Sequence, residues 1–202
     1  MFFIKSERET ITAEEKNLIR ASAYTAIEKY NLTSLPANEK VLEYLLSSKY
    51  YMIMSIQKLA YFSNTDIEEC LHVLGGQGSI YYDSGLNKYT IFYNKDISNE
   101  LVTWIIASLI AAVELDLVPI DDIFVINPDN EYLEEFASYF LAPDPVLYEC
   151  KISSPGEVSK VCQIPFKYAL RKSKRLKKTF AKTALDEYIK YKFSNFIQDY
   201  KK

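Results

Sequence analysis

The chain has 202 residues, 49% of them hydrophobic and 25% charged, the balance of one folded domain or one domain with a small appendage, which excludes a disordered or fibrous chain. It holds a single histidine, His72. A zinc motif that needs two imidazoles, such as the helical HExxH, is therefore excluded, and a Ser-His or Cys-His catalytic pair could use only His72. The net charge of −3 hides a division: residues 1–150 carry 10 Lys/Arg and 23 Asp/Glu, whereas residues 151–202 carry 14 and 4, so a basic C-terminal region either meets an anion or packs on an acidic body.

Taken in chain order, Thr12-Ala-Glu-Glu15 has the spacing of a capping box. It opens a helix with Leu18, Ile19, Ala23, Ala26 and Ile27 on one face and an end near Tyr30-Asn31. Ser34-Leu-Pro-Ala37 reads as a turn, and Asn38 as the cap of a second helix. The apolar stretch Tyr50 to Ile56 reads as a strand, with a helix as the alternative. A third helix is expected from about Thr65 to Leu74, stopped by Gly75-Gly76. Gly78–Tyr82 and Lys88–Tyr93, rich in β-branched and aromatic residues, form a hairpin about the turn Asp83–Asn87.

Ser98 or Asn99 then caps a helix from Glu100 to about Leu115 that is apolar all round, the mark of a helix buried on most sides. Asn127-Pro128 reads as the cap and first turn of another helix, running to Leu141 and stopped by Pro143. Residues 144–153 read as a linker. Ser154-Pro155 opens a short helix through Val161. Phe166 to Leu176 reads as a basic amphipathic helix with Phe166, Ala169, Leu170, Ser173 and Leu176 on one face, and a last helix covers Thr183 to Tyr200. Helices, a small hairpin, then more helices make an α+β order rather than a repeating βαβ pattern.

Cys70, Cys150 and Cys162 lack CxxC spacing, which indicates neither a disulfide framework nor a thiolate zinc site but free thiols in a reducing cytoplasm. The start, Met1-Phe2-Phe3-Ile4-Lys5, lacks the pattern of a signal peptide. The longest uncharged apolar run, Leu101 to Val113, spans about 20 Å as a helix against a membrane core of about 30 Å. A cytoplasmic protein with no membrane partner is expected. Cys70 and His72 would point to different faces of one helix, so they read as no catalytic pair. Glu114, Asp116, Asp121 and Asp122 read as a solvated acidic rim, and Gly75-Gly76-Gln-Gly78 lacks the Lys-Ser/Thr of a P-loop.

Four stretches in this order resemble the ImmA/IrrE-type metallopeptidases: Ser34–Asn38, Gly78–Asn94 (GSIYYDSGLNKYTIFYN), Phe136-Ala-Ser-Tyr-Phe-Leu-Ala-Pro143, and Ser154–Lys178. The resemblance implies a zincin-like fold, mostly helical with a small β-sheet and a buried central helix. It implies an ImmA/IrrE-like domain over residues 1–150 with a basic helical region, residues 151–202, packed on it. The family places T-x-x-H-E-x-x-H on the central helix, with two histidines on one zinc and a Glu to activate water. Here Ile106 and Ile110 stand at the histidine positions and Ala107 at the Glu position. Tyr132 stands at the third ligand, with Glu131 adjacent. The resemblance thus implies a metallopeptidase fold that is not an enzyme, with no metal and no cofactor. Family members commonly accompany phage-type repressors on mobile elements and cleave or counteract them, so the implied role is regulatory, by binding a protein such as a repressor. The alternative is a DNA-binding transcriptional regulator. In the helix Phe166–Leu176, Lys167, Arg171, Lys174 and Arg175 recur at i, i+4 and i+7/8, and with Lys178 they would meet nucleic acid or another anion.

Overall fold

The computed structural model describes residues 11–127, 129–177 and 183–202. Helix α1 (Ala13–Lys29) begins with the expected capping box: the Thr12 hydroxyl accepts the Glu15 N–H at 3.2 Å, and the Glu15 carboxylate accepts the Thr12 N–H at 2.8 Å. Its buried face is Ile19, Ala23, Tyr24, Ala26 and Ile27, and Leu18 lies outside it. Helix α2 (Asn38–Ser47) is preceded by Ala37 at the cap position, so Asn38 is inside the helix and its amide donates to Gln163 instead, at 2.9 Å.

Strand β1 (Tyr51–Ser55) is the expected strand, but the chain turns at once into α3 (Ile56–Ser63), a helix the sequence reading lacked. Ser55 makes the switch, because its hydroxyl accepts the Lys58 N–H at 3.2 Å and caps the helix. After α4 (Ile67–Val73) come the hairpin strands β2 (Gly78–Asp83) and β3 (Lys88–Tyr93), then α5 (Asn99–Glu114), capped by Ser98.

A short strand, β4 (Ile123–Val125), completes a four-stranded sheet in the order β1-β3-β2-β4. β1 runs parallel to β3, and the other two pairings are antiparallel, so the sheet is mixed. Helix α5 lies under one face of it. Gly78 sets the separation: a Cβ there would stand 2.8 Å from Ile105 Cγ2 and 2.8 Å from the Phe92 carbonyl oxygen, closer than packed atoms come, so a side chain would push sheet and helix apart. Ile80 and Ile91, on the same face as Gly78, are fully buried. A second, smaller core of Ile56, Ala60, Cys70 and Leu74 joins α3 and α4 and takes in Phe92 on the opposite sheet face.

Helix α6 (Glu131–Leu141) is capped by Asn130, whose side chain accepts the N–H groups of Tyr132 and Leu133, and not by Asn127. The segment read as a linker contains α7 (Asp144–Glu149). Pro145 fits that helix because it occupies the first turn, where its missing N–H costs nothing. Helix α8 (Pro155–Cys162) carries a second capping box on Ser154 and Glu157, and α9 (Phe166–Leu176) has the expected bounds. The last helix is two, α10 (Ala184–Lys192) and α11 (Ser194–Tyr200), separated at the fully buried Phe193. The protein is α+β, mostly helical with a small mixed sheet. Among the described residues no helix is long and apolar enough to cross a membrane.

Candidate functional site

The stretch matching the zinc motif lies in the middle of α5. Nine consecutive residues, Trp104 to Ala112, are buried. Ile106 is 3% exposed, Ala107 and Ile110 0%, and all three belong to the main hydrophobic core, together with Phe136, Ala137 and Phe140 of the adjoining α6. Isoleucine offers a metal no lone pair and alanine offers water no proton acceptor, so this surface can pack but can neither ligate nor activate. Tyr132 is half-buried at the start of α6, and its hydroxyl donates to the Glu15 carboxylate at 2.9 Å. Glu131 is exposed and accepts the Ile11 N–H at 3.4 Å.

Among the described residues no group of three or more His, Cys, Asp or Glu could hold a metal ion. His72 is exposed on α4, while Cys70 is buried beneath it. Cys162 is fully buried, and burial pushes its thiol up to about 12, far from a reactive thiolate. Of the expected solvated acidic rim, Asp116, Asp121 and Asp122 are exposed, Asp121 accepting the Ser84 N–H at 2.8 Å and Asp122 the Ile123 N–H at 2.7 Å, while Glu114 pairs with Lys29 at 2.7 Å. A cleft lined by Gln77, Trp104, Ser108, Asn130, Glu134 and Tyr168 encloses about 10 Å³, room for one water.

The basic helix is oriented differently from its sequence pattern. Tyr168, Ala169, Lys172 and Ser173 form its buried stripe, while Phe166 is 59% and Leu170 38% exposed. Two contacts set this rotation. Tyr168 stacks on Trp104 with ring centroids 3.7 Å apart and planes 7° from parallel, a large buried aromatic contact. Behind it, Lys172 forms an ion pair with Asp144 and donates to the Ser138 carbonyl at 3.2 Å. Arg175 donates to Glu135 at 2.8 Å and to the Ser138 hydroxyl at 3.0 Å, and its Nε lies 3.4 Å from Asp144. The Tyr139 ring lies 5.0 Å from Lys172 Nζ and 4.2 Å from the Arg175 guanidinium carbon.

Burial lowers Lys172 to about 8, Arg175 adds to the drop, and Asp144 opposes it. Burial pushes Asp144 up, yet Lys172 and Arg175 together hold its carboxyl below the usual value. The cluster is therefore a mutually dependent set of buried charges, each ionised because the others are.

Of the cations singled out in the sequence, Lys167, Arg171 and Lys174 are exposed at i, i+4 and i+7 of α9, Arg171 pairing with Glu134 and the Lys167 Nζ lying 4.5 Å from the Tyr168 ring centre, whereas Arg175 points into the body. Lys178 lies outside the described residues. Lys172, absent from the sequence-derived set, is the most deeply buried of the helix's described cations. Its signal was its place three residues from Arg175, with Ser173 between, on the side away from Phe166. Other C-terminal charges also pair back to the body: Arg20 with Asp186 at 3.9 Å, Lys192 with Glu28 at 2.8 Å, and Lys201 with Glu149 at 2.7 Å. Much of the charge division seen in the sequence is thus met within the chain.

No protein-family model matches the chain, and no curated protein matches it.

Proposed function

We propose that the chain is a catalytically inactive relative of the ImmA/IrrE-type metallopeptidases, zincin-like in fold, that acts in the cytoplasm by binding a protein. Its partner is a phage-type repressor of a mobile element, which it holds without cutting. The observation that carries this reading is the burial of Ile106, Ala107 and Ile110 in the main core, at the positions where the resembled family has its two histidines and its glutamate. Zinc chemistry needs lone pairs and a general base at those positions, and these side chains supply apolar packing in their place. The order of elements supports the assignment. The β2–β3 hairpin leads through Asn94 into buried α5, α5 packs on α6 with its Phe136-Ala137 pair, and the helix pair α8–α9 follows. DNA contact has less support, because Arg171 and Arg175 are engaged by Glu134, Glu135 and Asp144.

Titration calorimetry against a phage-type repressor encoded beside the gene tests the reading. Saturable binding, with the repressor intact by mass afterwards, is the expected result. Cleavage of the repressor overturns it, as does the absence of binding.

A further inference from the structure

Helix α9 has a second face, opposite its buried stripe, that the proposed function does not yet use. Phe166, Lys167, Leu170, Arg171, Lys174 and Lys177 are all exposed. Lys177 follows the helix with right-handed helical backbone angles. At about 100° per residue, the six positions fall within one arc of about 140°. Tyr168, Ala169, Lys172 and Ser173, the buried residues of the helix, lie outside that arc, so no buried side chain interrupts it. Phe166, 59% exposed, and Leu170, 38%, form an apolar row one turn apart. Lys174, Lys167 and Arg171 form a basic row beside it.

Charge and width decide what fits this face. Among the described residues, the ion pairs of α9 engage Arg171, Lys172 and Arg175. Lys167, Lys174 and Lys177 therefore remain as unbalanced positive charge beside the apolar row, and an acidic partner complements them. The far border of the basic row is itself acidic. Glu134 pairs with Arg171 and raises its guanidinium above the ordinary value, and exposed Asp129 is near enough to add to the rise. A DNA duplex or an anionic lipid surface is broader than the face, so it would press its negative charges against these carboxylates. Its phosphates would also leave Phe166 and Leu170 without an apolar partner. A single helix, about 10 Å across, can lie along both rows and clear the carboxylates. A second copy docked about a two-fold axis would set these lysines against their own counterparts, and a head-to-tail contact would build rings or filaments.

We infer that the outer face of α9 binds an amphipathic helix of the partner protein, apolar along one row and acidic along the next. This rests on the protein-binding reading above and assigns it a surface and a partner chemistry.

The test uses the full chain and two synthetic helical peptides with the same leucine row, one with glutamates and one with lysines beside it, followed by fluorescence anisotropy. The glutamate peptide is expected to bind in a salt-dependent way and the lysine peptide at least about tenfold more weakly. Phe166→Ser and Lys167→Glu, both at exposed positions, are each expected to weaken the glutamate peptide by about tenfold or more, with the circular dichroism spectrum unchanged. Lys58→Glu, at an exposed lysine of α3, makes the same change of charge elsewhere and is expected to leave binding unchanged. Several results would overturn the proposal: equal binding of the two peptides, equal losses from Lys58→Glu and Lys167→Glu, or self-association in sedimentation that Lys167→Glu dissolves. So would a DNA duplex or phosphatidylserine vesicles that bind more tightly than the glutamate peptide and are released by Lys167→Glu. If Phe166→Ser and Lys167→Glu both spare capture of the repressor, the surface is wrong and the protein-binding reading stands. If the repressor is cut, that reading fails whatever the peptides do.

Discussion

Replacing Lys172 by methionine tests the buried charge cluster through its dependence on pH. The Lys172 side chain is 0% exposed and its ammonium is held at about 8, against an ordinary 10.5. In the unfolded chain the same lysine keeps its proton to about pH 10.4. Between those values the unfolded state binds more protons than the folded one, so this residue makes stability rise with pH, by about 1.4 kcal/mol per unit and about 3 kcal/mol in total. Buried Cys150 and Cys162, whose thiols are raised by burial, act in the opposite sense over the same range. Both are present in the two proteins, and although losing the Lys172 charge raises Cys162 further, a buried thiol already protonated at pH 9.5 adds nothing to the difference. Tyr24, Tyr30, Tyr51 and Tyr139 are all raised by burial above their usual 10, so their contribution is lost only above that pH. Urea unfolding of wild type and Lys172→Met at pH 7 and pH 9.5 should therefore show the wild type gaining about 2 kcal/mol on the variant between the two. A difference that is flat, or that moves in the variant's favour, would refute the account of Lys172 as a charged lysine held at a cost by Asp144.

The remaining expectations use the same unfolding assay. Asp144→Ala should cost about 3–5 kcal/mol, because it removes the carboxylate paired with buried Lys172 and leaves Arg175 with Glu135 alone; a cost below about 1 kcal/mol would show the cluster to be solvated. Gly78→Ala should cost about 1–3 kcal/mol through its clash with Ile105 and the Phe92 carbonyl, and Ile105→Ala, which removes the clashing Cγ2, should cost less in the Gly78→Ala background than alone. Ile110→His puts an unpartnered imidazole at a position that is 0% exposed. It should cost at least about 2 kcal/mol at neutral pH. The cost should grow as pH falls below about 6.5, because the core keeps the ring neutral while the unfolded chain protonates it.

How much of this could be read from the sequence depended on how local the cause was. The capping box at Thr12, the helix start at Ser154, the β2–β3 hairpin and the bounds of α9 each rest on residues a few positions apart, and each is present in the structure. Strand β4 is three residues long and exists because β2 offers it an edge, which no local pattern encodes. Helix α7 was hidden behind Pro143, which ends the preceding helix and made residues 144–153 read as a linker. The candidate site divided in the same way. The apolar character of Ile106, Ala107 and Ile110 was evident in the sequence, and their burial follows from a helix that is hydrophobic all round. The inward turn of Lys172 and Arg175 was not evident, since their partners, Asp144, Glu135 and Ser138, come from α6 and α7, while Lys167, Arg171 and Lys174 keep the outward face that the spacing suggests.

Metal content is the most direct test of the central claim. The purified chain, expressed with zinc in the medium, should contain well under one zinc per chain by mass spectrometric metal analysis and should leave its repressor partner whole. One zinc per chain, accompanied by proteolysis that a chelator abolishes, would contradict it.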